Sequence, residues 1–152
     1  MDVNVVMGSG ATVTTALIRG ANATGLSTIS QQIAKFEDDL YSGDDAKVSS
    51  LLGDASRTAL GTFSIHNLGM YGVKSAAPII LTPQACALSL GAIVDAVVPA
   101  KADGKSSGKA WQVSPVMTAT LSCDHRVVDG AVGAQWLSVF KELVENPMTM
   151  LL

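Results

Sequence analysis

Charge is scarce in this chain. Of its 152 residues only 15% are Asp, Glu, Lys or Arg, while 48% are hydrophobic; a soluble domain usually carries about 25% charged residues. So little charge points to surface buried against other subunits, because obligate interfaces are apolar; the alternative is a Gly- and Ala-rich monomer covered by Ser, Thr and Asn. Every Lys and Arg stands alone in the sequence and the net charge is −3, which argues against nucleic acid as a partner. No apolar run approaches the roughly 20 residues that cross a bilayer, so no membrane insertion is expected. Met1-Asp2-Val3-Asn4 leads straight into a strand pattern, without a secretory leader. The two cysteines, Cys86 and Cys123, lack CxxC spacing and read as reduced, buried thiols. No metal site is expected.

What remains is ample for one compact domain over residues 1–152. Val3 to Met7 and Thr12 to Ile18 are β-branched or apolar runs around Gly8-Ser9-Gly10, which predicts two strands joined by a glycine turn. A phosphate loop is excluded there, because such a loop opens a helix and here a Thr/Val strand follows. Ile29, Ile33, Phe36 and Leu40 recur at helical spacing, with Ser27 as the expected N-cap and Gly43 as the stop. Residues 44–60 read as a short helix and loop. Thr62 to Ile65 reads as a strand, followed by a turn-rich passage at Gly69-Met70-Tyr71-Gly72. Pro78 to Leu81 and Ala85 to Val98 read as strands buried on both faces. The polar tract Lys101 to Lys109 reads as a hairpin connection, and Trp111 to Ser122 as one long returning strand. A last helix after Asp129-Gly130 carries the apolar stripe Trp136, Leu137, Phe140, Leu143 and Val144, and ends at Pro147. The sum is an α/β domain with helices against a mixed sheet.

The chemistry concentrates in Ser122-Cys123-Asp124-His125-Arg126-Val127-Val128-Asp129-Gly130. An imidazole at a strand exit, just before a helix, can face a cleft rather than a core. A pKa near 6.5 suits it to general-base work, and a thiol nucleophile gains most from such a base. From the residues alone a purely structural account is the stronger one: Asp129 as the cap of the last helix, and Asp124 with Arg126 as a surface pair.

Asp124 to Gly130 resembles the DHRxxDG signature of the dihydrolipoyl acyltransferases, the core subunits of 2-oxo-acid dehydrogenase complexes. The likeness extends through Thr120 to Cys123, Ala131 to Leu137, Asn67 to Gly72, Pro83 to Leu88 and Pro147 to Leu152. It is close over residues 60–152, looser over 2–59, and strongest toward the pyruvate-type, mitochondrial members. The resemblance implies a fold like chloramphenicol acetyltransferase, trimers with the active site between subunits, and residence in the mitochondrial matrix. In the family the motif histidine takes the proton from the coenzyme A thiol, which then attacks acetyl-dihydrolipoamide. That role falls to His125, with Asp129 supporting the site's geometry, and coenzyme A and lipoamide are substrates rather than resident cofactors. No residue of this chain is assigned to binding coenzyme A.

Two departures qualify that role. The family's strand before Asn-Leu-Gly ends in a serine that stabilises the tetrahedral intermediate, and here the position is His66; losing one such donor typically costs about 10²–10³ in turnover. Ser64, further back on the same strand face, is the hydroxyl that could stand in. The family domain also opens with helix and strand segments, including a His-containing stretch, which implies a core domain shortened at its N-terminus. Both departures resemble the protein X branch, whose members bind dihydrolipoamide dehydrogenase through a separate upstream domain. The expectation is therefore a non-catalytic anchoring domain that trimerises and docks on the acetyltransferase core, with His125 and Asp129 vestigial. The alternatives are the C-terminal part of an active dihydrolipoyl acetyltransferase with His125 as base, and a different coenzyme-A-dependent acyltransferase.

Overall fold

A computed structural model describes residues 1–9, 12–41, 61–100 and 110–151. Its strands are β1 (Val3–Ser9), β2 (Thr12–Ile18), β3 (Phe63–Asn67), β4 (Cys86–Leu90), β5 (Val94–Pro99), β6 (Trp111–Val116) and β7 (Ala119–Cys123), and its helices are α1 (Leu26–Tyr41) and α2 (Gly130–Glu145). Five strands form a mixed sheet in the order β2-β1-β3-β4-β7, while β5 and β6 make a separate two-stranded ribbon. β1, β3 and β4 run parallel to one another, and the outer pairs β1–β2 and β4–β7 are antiparallel. This is the expected α/β architecture with helices on a mixed sheet.

Strand alternation gives the sheet two different faces. Val3, Phe63 and Leu88 form the buried core of one face, with Ile65, Cys86, Leu90, Ala119 and Leu121 packed around them. Leu137 and Phe140 of α2 close this face, and Phe63, Trp136 and Phe140 stack in sequence at 5.5 Å between centroids. The opposite face carries Asn4, Ser64, Ala87 and Ser89, each no more than 1% exposed. Leu17 of β2 and Arg19 just beyond its end share a cleft with Gln32, Lys35 and Phe36 of α1. Since Leu17 is paired with Asn4, α1 covers the polar face at its β2 edge.

Several local expectations are corrected. Helix α1 is capped at Gly25, whose carbonyl accepts the Thr28 and Ile29 amides at 3.0 and 3.1 Å, so Ser27 lies inside the first turn. Pro78 to Leu81 is not a strand; proline supplies no ladder donor, and Ile79 and Leu81 are solvent-exposed. Ala85 to Val98 and Trp111 to Ser122 each break into two strands at the same level. Between the β4–β7 and β5–β6 ladders, Gly91, Ala92 and Ile93 stand opposite Met117 and Thr118 alone. That extra residue is a bulge, which bends the chain out of the sheet. Beyond it, β5 and β6 leave the core, and Val97, Trp111 and Val113 are more than 60% exposed. The stop at Gly43, the helix within 44–60 and the connection over 101–109 lie outside the described residues. Among the described residues no helix is long and apolar enough to cross a membrane.

Candidate active site

Strand β7 ends at Cys123, and the chain makes one tight turn before α2. The turn is held at both ends. The Asp124 amide donates to the Ala85 carbonyl at 2.8 Å, anchoring the turn to the start of β4, and the Asp124 carbonyl accepts from Val127 and Val128 at 2.9 and 3.0 Å. The Asp124 carboxylate takes the Arg126 amide and a forked contact from its guanidinium, Nη2 to Oδ2 at 2.6 Å. Those bonds from Arg126 hold the Asp124 carboxyl down at about 2. At the other end Asp129 Oδ1 accepts the Val132 amide at 2.8 Å as the N-cap of α2.

His125 rides on this braced turn with an exposed side chain. A braced backbone with an open ring suits a base that serves a substrate from outside the chain. Both acidic neighbours in the motif are engaged in holding the turn. The structural roles foreseen for Asp124, Arg126 and Asp129 are thus present alongside an exposed imidazole.

The second group lies on the polar face of the sheet. His66 on β3 is half-buried, and its Nε2 meets Ser64 Oγ at 3.3 Å. Burial lowers the His66 pKa from its ordinary 6.5, favouring the neutral ring. Register places His66 between Val6 of β1 and Ser89 of β4, and Ser64 between Asn4 and Ala87. Asn4 Oδ1 accepts the Gly61 amide at 3.2 Å, whereas Asn4 Nδ2 and Ser89 Oγ are buried without a hydrogen-bond partner among the described residues. The result is a row of buried polar groups across three strands.

The motif reading did not include Asn4 and Ser89. Their signal in the sequence is slight, a single polar residue inside each of two apolar strand runs. No hydrogen bond or ion pair joins the row at His66 to the turn at His125 among the described residues. No group of three or more His, Cys, Asp or Glu side chains among them could hold a metal ion.

A family model for the 2-oxoacid dehydrogenases acyltransferase (catalytic domain) matches residues 1–152. The dihydrolipoyllysine-residue acetyltransferase component of the mitochondrial pyruvate dehydrogenase complex of Caenorhabditis elegans is 41% identical over 153 residues, covering 100% of this chain and 27% of that protein. Its counterpart in Dictyostelium discoideum is 36% identical over 152 residues, covering 100% of this chain and 22% of its own length. This chain therefore spans about a quarter of the length of these curated relatives. Among solved structures, the dihydrolipoamide acetyltransferase of Azotobacter vinelandii superposes with a TM-score of 0.74 at 24% identity, covering 99% of this chain and 56% of that one. The cubic core of a pyruvate dehydrogenase multienzyme complex superposes equally well, with a TM-score of 0.74 at 23% identity, 99% coverage of this chain and 56% of that one. The family match includes residues 2–59, where the motifs are sparse. The chain belongs to the 2-oxoacid dehydrogenase acyltransferase family, and the family's catalytic domain is the part it matches.

Proposed function

We propose that this chain is a structural core domain of the mitochondrial pyruvate dehydrogenase complex, of the protein X type. In the matrix it forms trimers, docks on the acetyltransferase core and brings in dihydrolipoamide dehydrogenase through a domain upstream of the residues described. The observation that carries this reading is the contact between Ser64 and His66. An oxyanion donor must point its hydrogen at the place where negative charge develops. Ser64 Oγ is instead buried, at 1% exposure, and engaged by His66 Nε2 at 3.3 Å. The imidazole occupies the position of the family's serine with a bulkier ring. His125 then lacks the hydroxyl partner its chemistry needs, and Asp129 serves as a helix cap.

A second reading, an active acetyltransferase, is favoured by the exposed imidazole of His125 and by the names of the relatives. In that case His125 removes the proton from the coenzyme A thiol. The thiolate adds to the acetyl carbon of acetyl-dihydrolipoamide; collapse of the tetrahedral adduct leaves acetyl-coenzyme A and expels the lipoyl thiolate, which takes the proton back from His125 as dihydrolipoamide. Solution mass measured with and without the acetyltransferase core separates assembly from its absence. A trimer that co-migrates with the core and transfers no acetyl group fits the first reading. A monomer indifferent to the core excludes it.

A further inference from the structure

Cys86 and Cys123 are direct cross-strand partners in the β4–β7 ladder. The neighbouring rung is hydrogen-bonded, Asp124 N–H to Ala85 carbonyl at 2.8 Å. The cysteines therefore occupy the alternate, non-hydrogen-bonded rung, where opposite Cα atoms lie about 4.5 Å apart with side chains close together. That separation falls inside the range of about 4.4–6.8 Å that a disulfide spans. Both cysteines are free and half-buried, less enclosed than the buried thiols expected from the sequence. The helix over them is smallest there: Gly133 is the buried residue of α2, and a Cβ built on it would sit 3.6 Å from Cys123 Sγ.

We infer that Cys86 and Cys123 form a dithiol modification site, which a small-molecule disulfide closes reversibly into a cross-strand bond at the root of the His125 turn. One thiolate attacks a sulfur of the reagent RSSR, forming a mixed disulfide and releasing RS⁻. The opposite cysteine, as its thiolate, attacks the protein-side sulfur of that mixed disulfide, closing the bond and releasing the second RS⁻. The two cysteine protons end on the two released thiols, so the protein loses two electrons and RSSR gains them. Burial, with Cys123 alongside, pushes the Cys86 thiol up to about 11, which keeps it protonated at neutral pH and slow to attack, so closure needs an excess of reagent. The site does not depend on whether His125 is catalytic.

The test is incubation of the folded chain with oxidised glutathione, then intact mass and non-reducing peptide mapping. The expected product is lighter by two hydrogens, joins the peptides of Cys86 and Cys123 within one chain, and reverts with dithiothreitol. Cys86→Ser and Cys123→Ser should each stop at a stable glutathione adduct on the remaining thiol. The wild-type protein alone decides the matter if a variant does not fold. No reaction without denaturant, a lasting adduct on either wild-type cysteine, or a cross-link between two chains would overturn the inference.

Discussion

Ser64 Oγ and His66 Nε2 lie 3.3 Å apart on one face of β3, so the Ser64 hydroxyl is engaged within its own strand. The imidazole is half-buried and its pKa is lowered by that burial, so the folded chain resists protonating it. The unfolded chain takes up a proton near the ordinary 6.5. Stability linked to His66 is therefore fully present above 6.5 and is lost as pH falls from there toward the lowered folded value. Thermal melts at pH 7.5 and 5.5 should show a drop in the wild type that shrinks in His66→Gln. Equal drops in both proteins would place the sensitivity elsewhere.

Asp129 should matter to stability through its cap. Removing the carboxylate with Asp129→Ala should cost about 1 kcal/mol, whereas Asp129→Asn should be nearly neutral because Asn caps as well as Asp. Urea denaturation of the three proteins decides it. An Asn variant as unstable as the Ala variant would mean that the charge, rather than the bond to Val132, is what counts.

Arg126 sets the acidity of Asp124. With the guanidinium removed in Arg126→Ala, the Asp124 carboxyl should climb from about 2 toward its ordinary 3.8, as followed by NMR titration of the side-chain carbon. The stabilising share of the low value is present above 3.8 and lost as pH falls toward 2. Both groups lie at the surface, with side chains 84% and 22% exposed, so salt should weaken the effect. An unchanged titration in the variant would contradict the ion pair.

The α2 stripe is a half-open contact. Phe140 is partly buried and stacked on Trp136 at 5.5 Å with planes 6° apart, while Trp136 is 38% exposed. Phe140→Ala should therefore cost about 2 kcal/mol, below the roughly 3–5 of a fully buried phenylalanine. A larger cost in a chain at its working concentration would indicate that a partner completes the burial.

Gly91 marks the point where the chain leaves the sheet. A Cβ there would come within 2.7 Å of the Lys74 carbonyl carbon and 3.2 Å of the Thr118 carbonyl oxygen. Both neighbours are backbone, so Gly91→Ala should destabilise by about 2–3 kcal/mol. A cost under about 1 kcal/mol in denaturant titration would show that these segments part easily.

Much of this arrangement was legible because it is local. The Val and Thr alternation of residues 3–18 specifies a hairpin, and Asp129 before Gly130 specifies a helix start, each within a few residues. The break at Gly91 and Met117-Thr118 was not legible, since an apolar run continues through a bulge without interruption and only cross-strand register exposes the extra residue. Asn4, Ser64 and Ser89 belong to three strands distant in sequence, so the row they form exists only after pairing. The same holds for Cys86 and Cys123, two unrelated thiols in the sequence and neighbours in the ladder. His125 was found through its motif, and its openness to solvent came from the turn geometry.

The central claim is that His66 in place of a serine leaves His125 without a working partner. Acetyl transfer from acetyl-dihydrolipoamide to coenzyme A by the full-length protein tests it most directly, comparing wild type, His66→Ser and His125→Ala. The account predicts background turnover for the wild type and His125→Ala, with a gain in His66→Ser. Brisk wild-type turnover that disappears in His125→Ala would contradict it.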